Sequence, residues 1–148
     1  MSLSDIFAYM IISETTKKAV KQFTEKEWRG VDMEHYGKPT KWTKKGFVFK
    51  AENDGRVIGV ISGNYDAGVL HIDELIVSGN IRGKGVGKAL MKKAEEFGKK
   101  EKAHKVHLST GRGWRAEKFY EQLGYKQRAI LPKHHFGVDF VIYEKFFT

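Results

Sequence analysis

The 148-residue chain contains no cysteine. That absence excludes disulfides, zinc–thiolate sites and a thiol nucleophile together, and it fits a reducing cytoplasm. With only 2 prolines, no Pro-rich linker is available to divide the chain, and one domain over 1–148 is expected. No apolar run approaches the ~20 residues that a membrane helix needs. The apolar stretch 6–12 follows Asp5 rather than a basic region, so it does not read as a targeting signal. A soluble, cytoplasmic protein with no membrane partner is expected. The opening Met1-Ser2-Leu3 has the look of a cloning remnant and is given no structural weight.

What is present is an ordinary globular composition, 41% apolar and 30% charged, with a formal charge of +9. That excess is concentrated. Between Arg82 and Lys105 nine basic residues face Glu95, Glu96 and Glu101, a net of +6 in 24 residues. Such a field attracts an anion, whether nucleic acid, an acidic membrane or a phosphorylated small molecule; a solvated lysine-rich helix face is the competing reading.

The pattern of periods suggests the order β-α-β-β-β-α-β-α-β-β. A strand is expected over 6–12 and helix from 14 to about 36, where Ala19-Val20, Phe23 and Trp28 recur at helical spacing. Strands over 47–51 and 56–63 are joined by Asn53-Asp54-Gly55, a hairpin signal, and 69–77 follows Asp66-Ala67-Gly68. Val86, Ala89-Leu90, Ala94 and Phe97 mark an amphipathic helix of about 15 residues. A strand over 105–109, a helix over 115–123 closed by Gly124, and strands over 127–131 and 138–146 complete the chain. The fold class is α+β, with a mixed, largely antiparallel central sheet flanked by helices.

The segment Ile81-Arg82-Gly83-Lys84-Gly85-Val86-Gly87-Lys88 lies between a strand and a helix. Three alternate glycines permit positive φ and a close approach of backbone N–H groups to a ligand. The helix N-terminus that follows favours an anion, and Arg82, Lys84 and Lys88 add charge. A phosphate cradle is expected, against the competing reading of a tight turn with incidental lysines. It is neither a nucleotide P-loop, since Gly83 and Gly87-Lys88 are one residue too close, nor the dinucleotide fingerprint, whose third glycine would come one residue later.

Arg82-x-x-Gly85-x-Gly87, preceded by Asp73-Glu74-Leu75-Ile76-Val77, resembles the acetyl-CoA signature of the GNAT superfamily of N-acetyltransferases. The run Ala116-x-x-Phe119-Tyr120-Glu121-x-Leu123-Gly124-Tyr125 is similar to that family's second motif, and Gly137-x-Asp139-Phe140…Tyr143-x-Lys145 to its usual ending. The resemblance is strong over 70–125 and weak before 46. It implies a GNAT-like acyltransferase fold and direct transfer of an acetyl group from acetyl-CoA to a primary amine through a tetrahedral intermediate, with no metal.

The resemblance also implies roles. Leu75, Ile76 and Val77, with Arg82 to Lys88, would hold the pantetheine arm and pyrophosphate, Val86 included, and the Val77 N–H would face the oxyanion. Asp73 or Glu74 would take the amine's proton; Glu74 is favoured, with Asp73 holding or orienting the amine, and the roles are interchangeable at this level. Alternation along the strand would point the two to opposite faces. For each, a structural salt bridge to a lysine is the competing reading. Tyr120 would protonate the departing thiolate, against the reading of an amphipathic core tyrosine. Gly113 stands where the family often has an Asn that contacts the CoA arm; that contact would be either missing or supplied by a neighbour such as Arg112, and Arg112, Arg115 or Lys118 would reach the 3′-phosphate.

Other polar residues carry less. His134-His135 would point apart on a strand, and His104 and His107 are spaced to the same effect, so no metal ligand set is expected. His71 shares a strand face with Asp73. Trp28, Tyr36 and Trp42 lie where relatives cover the acceptor, with core packing as the competing role. A non-catalytic CoA-binding regulator and a basic nucleic-acid-binding domain are the alternatives. The second is disfavoured because Phe97, the only non-histidine ring between 82 and 105, falls on the buried face. The amine, small molecule or protein, is open, as is a homodimer.

Overall fold

Two hairpin turns build one side of the molecule. In the computed structural model, which describes residues 1–147, Asp54 and Gly55 both take positive φ (48° and 72°), as do Ala67 and Gly68 (48° and 87°). Two central residues at positive φ make a type I′ turn, whose twist matches that of the strands it joins. These turns connect β1 (Lys45–Asn53), β2 (Arg56–Asp66) and β3 (Val69–Val77) into an antiparallel meander. Ala67 has no side-chain oxygen to favour the left-handed region, which costs an ordinary residue about 1 kcal/mol. Ala67→Asn is therefore expected to raise Tm by about 2 °C, read by scanning calorimetry.

The remaining elements follow the expected order. Helix α3 (Val86–Lys100) leads to β4 (Lys105–Gly111), α4 (Arg115–Gln122), β5 (Lys126–Leu131) and β6 (Phe140–Phe146). The six strands order as β1-β2-β3-β4-β6-β5; β3 and β4 run parallel and the other neighbours antiparallel. The core lies between the sheet and α3 with α4. Leu90, Met91 and Ala94 of α3 and Tyr120 of α4 pack with Ile61, Leu70, Val106, Leu108, Val141 and Tyr143. Phe97 joins Phe47 and Phe49 there, with ring centroids at 5.0 and 6.2 Å, as its place on the apolar stripe predicted.

The chain divides into two compact units, residues 1–41 and 42–148. In the first, helix α2 (Lys17–Tyr36) is capped by the Thr16 side chain and ended by Gly37 at φ 67°. Its Asp32 is buried and accepts a hydrogen bond from Thr40. The strand expected over 6–12 is not formed. Helix α1 (Leu3–Tyr9) occupies most of it, and residues 10–16 are irregular. The reason is local: Ser2 and Asp5 form a reciprocal capping box, with Ser2 N donating to Asp5 Oδ2 at 2.9 Å and Asp5 N to Ser2 Oγ at 3.2 Å. Ser2 belongs to the segment given no structural weight.

Candidate functional site

Strands β3 and β4 pair only from Val69–Lys105 to His71–His107, and beyond His71 they separate. Strand β4 stays paired with β6 through Gly111, so a gap opens on the β3 side. The N–H groups of an extended strand alternate between its two edges. Ser78 N donates to Ile58 O on β2 at 2.9 Å, which directs the Val77 N–H to the other edge, into the gap. The Val77 carbonyl, on that same edge, accepts Arg82 Nε at 3.2 Å. Arg82 thus ties the start of the glycine loop to the end of β3. Leu75 and Val77 are half-buried, and Ile76 is exposed.

The loop delivers the chain to an open helix terminus. Gly83 and Gly85 lie at φ 79° and 89°, and Gly85 caps α3 with no side-chain hydrogen bond. No acidic residue stands in the first turn of α3. The first N–H groups of a helix have no partner within it, so this end presents donors and the positive end of the dipole. Other helix N-termini in the fold differ: α2 is capped by Thr16, and at α4 the Glu117 carboxylate accepts from Gly113 N. Arg82, Lys84 and Lys88 are exposed, and among the described residues none is ion-paired to a carboxylate. This end of α3 fits a phosphate.

The third glycine of the loop serves another purpose than the expected positive φ. Gly87 is helical, and a Cβ there would lie 3.3 Å from Phe119 Cζ and 3.7 Å from Val77 Cγ2. The start of α3, the end of β3 and α4 therefore meet at one point, and Phe119 carries Tyr120 beside it with ring centroids 5.1 Å apart.

Three buried tyrosines line the core near α4, and their hydroxyls differ. Tyr143 donates to Glu117 and Glu121 at 2.9 and 2.8 Å, and Tyr125 to Glu95 at 2.8 Å. Burial, reinforced by those carboxylates, raises the pKa of both. The Tyr120 hydroxyl has no hydrogen-bond partner among the described residues, and burial alone pushes it up to about 12. Of these three tyrosines, Tyr120 is the one whose proton is uncommitted.

The two acids depart from simple alternation. Ser62 pairs with Glu74 and Gly63 with Ile72, so Asp73 is the extra residue of a β-bulge. Core-facing positions are Leu70 and Ile72 before the bulge and Leu75 and Val77 after it. Asp73 and Glu74 consequently stand together on the exposed side rather than on opposite faces. Neither is ion-paired to a Lys or Arg among the described residues. Asn64, buried to 8% exposure, donates from Nδ2 to Asp73 Oδ2 at 3.2 Å. Sequence reasoning missed Asn64; the glycine before it, inside a strand, is the usual mark of a bulge.

The other expected residues fall as follows. Arg112 is held at Asp139, its backbone N 2.8 Å from the carbonyl and Nη1 3.5 Å from the carboxylate. Gly113 adopts φ 78°, and the place a Cβ would take there has nothing within 4 Å. Arg115 and Lys118 are exposed on α4. His134 and His135 sit in a tight loop rather than on a strand, with ring centroids 4.2 Å apart and planes tilted by 60°, so they do not point apart. His71 and His107 meet at 5.3 Å, and burial and the neighbouring His71 lower the His107 pKa. No group of three or more His, Asp or Glu able to hold a metal is found among the described residues. No described helix is long and apolar enough to cross a membrane. Trp28, Tyr36 and Trp42 are each more than half exposed.

Comparison with known proteins agrees with this geometry. A relative from Methanocaldococcus jannaschii, described as an uncharacterised N-acetyltransferase, is 38% identical over 89 residues, 59% of this chain and 57% of its own. A second from the same organism, described likewise, is 30% identical over 152 residues, covering 88% and 67%. The chain therefore spans roughly three fifths to two thirds of these relatives' lengths. An acetyltransferase structure from Bacillus cereus superposes with a TM-score of 0.72 at 22% identity, covering 94% of this chain and 99% of that one. A GNAT family acetyltransferase from Elizabethkingia anophelis, solved with acetyl-CoA bound, gives 0.64 at 16% identity over 70% and 77%. The model of the acetyltransferase (GNAT) family matches residues 15–125, well over half of the chain, and the chain belongs to that family.

Proposed function

We propose that the chain, as one N-acetyltransferase domain over 1–148, moves an acetyl group from acetyl-CoA directly to a primary amine. The observation that carries this reading is the junction at Gly87, where an uncapped helix end, the β3/β4 gap and α4 with Tyr120 converge. Gly83 to Lys88 would take the pyrophosphate on backbone N–H groups, with Arg82, Lys84 and Lys88 supplying charge. Leu75, Ile76 and Val77 would line the pantetheine arm, and Arg112 would stand by its outer part.

The acceptor arrives protonated, since a lysine-like amine has a pKa near 10.4. Glu74, exposed and unpaired, takes that proton while Asp73 holds the amine. The nitrogen then bonds to the acetyl carbon, the Val77 N–H faces the oxyanion, and the carbon–sulfur bond breaks. Tyr120 donates to the departing sulfur. The second proton that the nitrogen carries after bonding passes to the thiolate, and the Glu74 proton goes to water, so the products are an amide and free CoA thiol.

The test is thermal unfolding with and without acetyl-CoA, with ATP and a DNA oligonucleotide as controls. At 100 times Kd the co-substrate adds about 2.7 kcal/mol, a rise of several degrees. A shift with the oligonucleotide and none with acetyl-CoA would sink the reading.

A further inference from the structure

We propose that Asn64 is the positioning residue of the acceptor site: its buried amide fixes Asp73 as the seat of an acceptor that arrives as an ammonium ion, leaving Glu74 to move the proton. This rests on the acetyl-transfer reading above and assigns the two carboxylates different work.

Three observations carry it. First, a bulge residue is unpaired in its ladder, so the Asp73 backbone is held less firmly than its neighbours. A side-chain anchor is what fixes its carboxylate, and Asn64 Nδ2, 3.2 Å from Oδ2, is that anchor. Second, Asn64 is a polar side chain kept at 8% exposure, which carries a desolvation cost that its hydrogen bond offsets. Third, the chemistry of the partner is telling. In a chain with 27 Lys and Arg, Asp73 is met by a neutral amide. A guanidinium or ammonium there would cancel the carboxylate's charge; an amide orients it and leaves the charge for an incoming cation. Glu74, one residue along and on the same side, has no side-chain partner among the described residues, and that freedom suits a group that must collect a proton and release it to water.

The experiment compares Asn64→Ala, Asn64→Ser, Asp73→Asn and the Asn64→Ala/Asp73→Asn double variant, using n-butylamine as the acceptor. Two readouts are taken: steady-state acetyl transfer, and Kd for n-butylammonium from calorimetric titration, which needs no turnover and is read in every variant. Loss of one hydrogen bond to a charged group should raise the amine KM and Kd about tenfold in Asn64→Ala. The kcat and the acetyl-CoA KM should stay within a factor of about two, since a positioning loss of this kind is confined to acceptor binding. Asn64→Ser, which retains a small polar side chain, guards against a mere folding defect. In the Asp73→Asn background, Asn64→Ala should add nothing. An unchanged amine affinity in Asn64→Ala, or effects that add in the double variant, overturns the role of Asn64. If Asp73→Asn itself leaves amine affinity unchanged, the assignment of Asp73 falls with it. A wild-type protein that does not bind acetyl-CoA overturns the underlying transferase reading instead.

Discussion

Tyr120→Phe is expected to slow acetyl transfer about a hundredfold, with acetyl-CoA binding and Tm unchanged or slightly improved. The direction follows from the hydroxyl's surroundings. Tyr120 is 7% exposed, and its oxygen has no partner among the described residues, so removing it breaks no bond in the folded state. Tyr143→Phe is the matching control: it strips two carboxylates of their donor and should lower Tm without the same selective loss of turnover. The magnitude is set at the lower end of general-acid effects for a reason. A pKa of about 12 keeps the Tyr120 proton in place across any working pH. A thiol leaves with a pKa near 8.5, so complete transfer from the tyrosine would be uphill, and under the proposed mechanism its expected contribution is a hydrogen bond that strengthens as charge gathers on sulfur. The measurement is kcat beside the acetyl-CoA-induced thermal shift. Full turnover in Tyr120→Phe would remove the tyrosine from the mechanism; an acetyl-CoA-induced thermal shift with no turnover in either protein would favour a non-catalytic CoA-binding role.

Much of the fold was legible from residue patterns because the signals were local. Asn53-Asp54-Gly55 and Asp66-Ala67-Gly68 set the hairpins, and the stripe Val86, Leu90, Ala94, Phe97 set α3. The glycine loop opening α3 was legible too, with Gly83 and Gly85 at positive φ, although Gly87 proved to serve packing. What could not be read depended on how strands pair. Whether Asp73 and Glu74 share a face is decided by one unpaired residue, and alternation alone gave the opposite answer. The partnership of Asn64 with Asp73 spans two strands. Which of three similar tyrosines keeps an uncommitted hydroxyl depends on glutamates 22 to 30 positions away in the sequence, a relation no spacing rule carries. The N-terminal strand failed for a different reason: an apolar run of seven residues suits a strand or a short helix, and the capping serine that decides between them lies outside the run.

The second large effect is structural and reaches the site through the same bulge. A Cβ on Gly63 would lie 1.9 Å from the His71 carbonyl oxygen, 2.9 Å from Phe47 Cζ and 3.0 Å from the His71 carbonyl carbon. The first and third of these are backbone atoms of the neighbouring strand, which cannot swing aside as a side-chain tip can. Gly63→Ala must therefore push β2 and β3 apart where they form the bulge, or abolish it. Overpacking of a core typically costs 1–3 kcal/mol, and a clash with backbone belongs at or beyond the upper end, a fall in Tm of about 10 °C. Abolishing the bulge restores strict alternation, which turns either Asp73 or Glu74 toward the core face. The variant should accordingly lose amine affinity and turnover, while the α3 terminus, separate from the bulge, still takes acetyl-CoA. Gly46 is the control: a Cβ there meets only the Gly63 carbonyl, at 3.8 Å, so Gly46→Ala should leave Tm within about 2 °C. Equal Tm values for the two variants would show that the bulge does not hold the acids where this fold places them.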